Sequence, residues 1–113
     1  MEMTLDKRQF DAKMIQLGFR DITSGTAMLR RAVELYQPGM YMTKELYPAI
    51  AKEIGSTPSR VERCMRHAIE TAFDRANPFT VGEVFGYSID PNRGAPTVSE
   101  FVARMKVFCC NEQ

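Results

Sequence analysis

Within nine residues, Ser59-Arg60-Val61-Glu62-Arg63-Cys64-Met65-Arg66-His67, the chain places three arginines and its single histidine. Arginine can donate two parallel hydrogen bonds to guanine O6 and N7, each such pair discriminating by about 1–3 kcal/mol. Glu62 has two uses open to it: accepting from a cytosine amino group, or orienting Arg66 as an i,i+4 pair. Wound at ~100° per residue, residues 58–75 separate into two faces. Val61, Cys64, Met65, Ala68, Ile69 and Ala72 fall within an arc of about 140°. Ser59, Arg60, Arg63, Arg66, His67, Glu70 and Asp74 occupy the opposite half, which is left to solvent. This is chemistry for reading base edges. A face of arginine and glutamate is usually no more than solvated surface, and a lone histidine usually a surface group. Here the charge cluster coincides with a helix start and a tight turn, which favours a DNA reader, with His67 in a supporting role.

The elements that must position this face are helix, turn, helix over about 44–75. Thr57 caps the second helix with Pro58 at its first position, a strong start signal. A bihelical unit with a 3–4-residue turn needs a small residue where the helices touch and glycine at the turn. Ala51 and Gly55 meet those needs, and Val61 can close a small core with Ile50 and Ile54. The first helix has two possible starts. Thr43 can cap it, which puts Pro48 in its second turn, or Pro48 itself is a first-turn residue; a loose turn before Pro48 reconciles the two. Ser59 and Thr57 suit backbone phosphate, helped by free amides at the helix start, and Thr43 and Lys44, just before the first helix, can clamp one as well.

Elsewhere the apolar rhythm is helical. Residues 5–17 carry Leu5, Phe10, Met14 and Leu17 at helical spacing, with Thr4 as cap and Gly18 as stop. A cap-rich turn over 21–25 precedes a helix to Gln37 with Met28, Ala32, Leu35 and Tyr36 on one stripe. Pro38-Gly39 ends it. The arginine helix stops at Asn77-Pro78. Thr80-Val-Gly-Glu83 and Thr97-Val-Ser-Glu100 each fit a capping box and signal two further helices. The last carries Phe101, Val102, Met105 and Phe108, and residues 88–96 between them form a loop. No stretch alternates over strand length, so the expectation is an all-α fold of about six helices in one domain over 1–113.

Composition agrees. A chain of 113 residues with 44% hydrophobic and 26% charged residues suits one core. The net charge of +1 makes any basic surface local. No run of ~18 apolar residues is present, so no membrane span is expected. The N-terminus does not resemble a secretion signal, and three cysteines, two of them adjacent, make no disulfide framework. A cytoplasmic location with reduced thiols follows as an expectation. Cys64, Cys109, Cys110 and His67 lack metal-ligand spacing, so neither metal nor cofactor is expected. With one histidine, no nucleophile elbow and no phosphate-cradling glycine loop, neither is catalysis.

The segments Thr43-Lys-Glu-Leu-Tyr-Pro-Ala-Ile-Ala-Lys52, Ser59-Arg-Val-Glu-Arg-Cys-Met-Arg-His-Ala-Ile-Glu70, Phe85-Gly-Tyr87 and Pro96-Thr-Val-Ser-Glu-Phe101 resemble the effector domain of the stage-zero sporulation response regulators. These are master transcription factors of endospore-forming Firmicutes. The resemblance covers nearly the whole chain. It implies a six-helix DNA-binding domain that reads a short box in duplex DNA. Ser59, Arg60, Glu62, Arg63, Arg66 and His67 match the positions that contact bases and phosphates. It further implies head-to-tail pairs on tandem boxes, and a sigma-factor contact near the segment from Thr80 to Phe85. The family's phosphoacceptor receiver domain has no counterpart in residues 1–20, which fits either an excised domain or a stand-alone relative. The alternative function is a helix-turn-helix module that binds a protein partner. An arginine-rich face with little apolar content is a poor centre for a protein interface.

Overall fold

The computed structural model describes residues 3–19, 23–86, 89 and 94–112, with backbone alone at 3, 4 and 110–112. Thr4 does not cap the first helix as its rhythm suggests. It lies in a short strand, β1 (Met3–Leu5), and the cap is Asp6, whose carboxylate accepts from the Gln9 amide at 3.2 Å. Helix α1 (Lys7–Gln16) then buries Phe10 and Met14. Gly18 stops it at φ +99°, where a Cβ would also meet the Ala72 carbonyl oxygen at 2.1 Å. Both facts demand glycine.

Helix α2 (Ser24–Leu35) is capped by Thr23, which accepts from the Thr26 amide at 3.2 Å. It ends two residues before Gln37. Its fully buried residues are Leu29, Ala32 and Val33, while Met28, Leu35 and Tyr36 are half-buried. The buried stripe is rotated from the expected one because α2 is covered from two sides, by the helices 58–73 and 98–109. Asp21 and Ile22 of the expected turn lie outside the described residues.

Both expected starts of the next helix hold in part. A single π-type turn (Met42–Leu46) leads into α3 (Tyr47–Ile54), with Pro48 in its first turn. A proline ring crowds the carbonyl four residues back and cannot donate to it, and a wider turn relieves that crowding. Gly55 closes α3 at φ +70°. Helix α4 (Pro58–Phe73) follows, two residues shorter than expected, with the Thr57 hydroxyl accepting from the Arg60 amide at 3.3 Å.

The capping box expected at Thr80–Glu83 is not one. Helix α5 (Pro78–Phe85) starts earlier, capped by Asn77, which accepts from the Phe79 amide at 2.9 Å. Thr80 is buried inside the helix and its hydroxyl bonds Gln16 Oε1 at 2.7 Å, while Glu83 pairs with Lys13 at 2.6 Å. Both side chains are used to dock α5 on α1. The box at Thr97 and Glu100 does form, with reciprocal bonds of 3.0 and 3.1 Å, and starts α6 (Val98–Cys109). Ser88 and residues 90–93 of the expected loop lie outside the described residues.

The fold is all-α, six α-helices among the described residues, and one small strand pair joins its ends. Strand β2 (Cys110–Glu112) runs antiparallel to β1, pairing Leu5 with Cys110. At three residues each, these strands are too short for alternation to register. Helix α6 packs on α1, α2, α4 and α5. Its Phe101 is fully buried, with Phe19, Phe85 and Phe73 ring centres at 5.6, 5.8 and 6.4 Å. Lys106, also on α6, is 2% exposed, and its ammonium donates to the Glu34 carbonyl at 3.1 Å. That carbonyl belongs to the last turn of α2, where carbonyls lack helical partners and positive charge is favourable.

Candidate nucleic-acid interface

Helix α4 is held from two sides so that one face remains outside. Its Val61, Met65, Ile69 and Ala72 are buried. Cys64 and Ala68 meet α2, where Gly25 lets the two backbones close: a Cβ on Gly25 would sit 2.8 Å from both Ala68 Cβ and the Cys64 carbonyl oxygen. On the other side Ile50 and Ala51 of α3 pack with Val61, all nearly inaccessible. Ile54, expected in that small core, is 50% exposed. As the last helical residue before the Gly55 turn, it projects past the contact between α3 and α4.

What remains outside is the predicted set. Ser59, Arg60, Arg63, Arg66 and His67 are exposed and Glu62 is half-buried. Arg60, Arg63 and His67 share a shallow cavity of about 460 Å³ with Met28, Ser56 and Cys64, on the α2 side of the helix. Arg66 and Glu62 lie along the α3 side. There the Arg66 guanidinium donates to the Glu62 carboxylate at 3.2 Å. Glu62 also acts on Tyr47 at the start of α3. Burial pushes the Tyr47 hydroxyl pKa up, and the Glu62 charge adds to the rise. Arg60 and Arg63 make no ion pair with any described residue, so their guanidinium forks are uncommitted.

Charge is also graded along the helix. Arg60 and Arg63 stand in its first half and Arg66 just past its middle, and Glu70 and Asp74 follow on the same exposed side. A phosphate backbone is therefore favoured at the N-terminal part of the helix over the part that carries Glu70 and Asp74. Pro58 supplies no N–H, so Ser59 presents the first amide of the helix. The Thr57 oxygen is engaged as an acceptor in the cap, which leaves its proton to donate. Thr43 and Lys44 are exposed in the π-type turn at the foot of α3. Sequence reasoning missed Gly25 as the residue that sets the distance between α2 and α4, and nothing local marks it, since its need arises from a helix that begins 33 residues later.

Among the described residues, no three or more His, Cys, Asp or Glu side chains converge as metal ligands do, and no helix is long and apolar enough to cross a membrane. Cys64 is a free thiol.

Two helices joined through a left-handed glycine, the second presenting an exposed arginine face, define a helix-turn-helix domain. Residues 11–107 match the family described as sporulation initiation factor Spo0A C terminal, and the chain belongs to that family. Membership makes it a DNA-binding domain of sporulation and transcription regulation.

Proposed function

We propose that α4 reads a specific DNA sequence in the major groove, with Arg60 and Arg63 as the principal base readers. The observation that carries this is the pair of exposed arginines, unpaired by any described acid, on the N-terminal half of a helix held rigid from behind. Recognition helices present this half to base edges. Arg66, positioned by Glu62, and His67 contact the flanks of the same site, and Ser59, Thr57, Thr43 and Lys44 bind phosphates. The domain acts as a regulator in the cytoplasm, on its DNA as head-to-tail pairs, and catalyses no reaction.

A sigma-factor contact on the segment from Thr80 to Phe85 has to use its outer side. Thr80, Val84 and Phe85 are buried, while Gly82, Glu83 and the adjoining Phe79, 89% exposed, face outward.

Binding-site selection from random duplexes at a stated salt concentration tests the proposal and yields the box. Enrichment of one short motif is expected, with Arg63→Ala losing discrimination at a single base pair. Equal affinity of the unaltered chain for selected and scrambled duplexes overturns sequence reading. A DNA affinity that does not fall with salt favours a protein-binding module instead, because phosphate contacts release counterions.

A further inference from the structure

Tyr41 stands immediately before the π-type turn, 67% exposed, and nothing in the base-reading scheme uses it. The Lys44 ammonium lies 5.9 Å from the centre of its ring. Ammonium ions are attracted to the face of an aromatic ring at this range. The backbone that carries both residues is fixed. The Tyr41 carbonyl accepts from the amides of Glu45 and Leu46 at 3.0 and 3.1 Å, and the Tyr41 amide donates to the Glu45 carboxylate at 3.1 Å. Glu45, the nearest acid in the sequence, is therefore occupied by the backbone.

The turn also has a defined place beside the reading helix. Tyr47, three residues after Lys44, opens α3, and α3 packs against α4, so the turn leads directly into the helix that supports α4. In a docked helix-turn-helix, the first helix crosses the DNA backbone. A surface lysine loses rotamer freedom when it binds a phosphate, and a ring that already restrains it reduces that loss.

We propose that Tyr41 is a positioning residue for DNA binding: its ring holds the Lys44 ammonium toward a backbone phosphate beside the base-reading helix. The proposal rests on the reading of α4 given above. It assigns Tyr41 a role through Lys44, with no contribution to base discrimination.

The experiment measures affinity for selected and scrambled duplexes over a range of salt, for the unaltered chain and for Tyr41→Ala, Tyr41→Phe, Lys44→Ala and the Tyr41→Ala/Lys44→Ala double variant. Lys44→Ala is expected to weaken both duplexes equally and to reduce the slope of log affinity against log salt by about 0.9. Tyr41→Ala is expected to weaken both by about two- to fivefold. Tyr41→Phe restores the affinity, and the Tyr41→Ala effect vanishes once Lys44 is gone. An effect that persists without Lys44, a Tyr41→Phe variant as weak as Tyr41→Ala, or no effect of Tyr41→Ala overturns the inference. Those results leave Arg63-dependent discrimination standing. Loss of salt-dependent binding in the unaltered chain overturns both.

Discussion

Arg60, Arg63 and Arg66 look alike in the sequence, but their surroundings separate them. Arg66 is engaged by Glu62 at 3.2 Å, whereas Arg60 and Arg63 are exposed and unpaired by described acids. A guanidinium that spends one of its N–H groups on a carboxylate is held in one direction and has fewer donors left for a base edge. Arg63→Ala is therefore expected to cost about 1–3 kcal/mol of discrimination at one base pair, measured as the affinity ratio between the selected box and its single-base variants. Glu62→Gln removes a negative charge from the edge of the exposed arginine face and releases Arg66. Binding to scrambled duplex should tighten and the ratio of specific to non-specific affinity should fall; an unchanged ratio at fixed salt counts against Glu62 as the orienting group.

At the scale of elements, the interface depends on the start of α4 and on the distance between α4 and α2. Thr57→Ala removes the cap on the Arg60 amide and should cost about 0.5–2 kcal/mol in a urea unfolding experiment. Gly25→Ala presses a methyl group against the Cys64 carbonyl and Ala68, each at 2.8 Å. The helices must part, at a cost of about 1–3 kcal/mol, the usual range for overpacking. Ala68→Gly in the same chain should recover part of the loss, and additive effects of the two changes would show that the contact is not shared. The caps at Thr57, Thr97 and Glu100 and the stops at Gly18 and Gly55 were legible in the sequence, because cap and stop chemistry acts over three or four residues. The box at Thr80 and Glu83 misled, since the same residue types dock α5 on α1 through Gln16 and Lys13.

At the scale of the molecule, polar contacts tie distant segments, those of Lys106 and Arg31 among them. Lys106 on α6 satisfies the Glu34 carbonyl at the end of α2. Lys106→Met keeps the length of the side chain but leaves a buried acceptor unpaired, which should lower stability by about 1–3 kcal/mol in chemical unfolding. Arg31 on α2 and Glu53 on α3 form a two-pronged pair, both bonds at 2.8 Å. The hydrogen bonds from Arg31 hold the Glu53 carboxyl below its ordinary range. A carboxyl with a lowered folded pKa contributes its stability in full above the unfolded value of about 4.3, and loses it as pH falls through the folded one. The stability difference between the unaltered chain and Glu53→Gln should therefore shrink on acidification below about pH 4, and a pH-independent difference rules the linkage out.

By itself the sequence determined the all-α class, the order of the helices, the helix-turn-helix and the side of α4 that carries the arginines. Each of these follows from periodicity, caps and turns, which act within a few residues. Tertiary structure decided which arginines remain unpaired, how closely α2 approaches α4, and that Lys106 is buried. It also decided that Leu5 belongs to a strand closed by the far end of the chain. Such facts depend on partners tens of residues away, and a buried lysine or a glycine at a helix crossing carries no local mark of the partner that requires it.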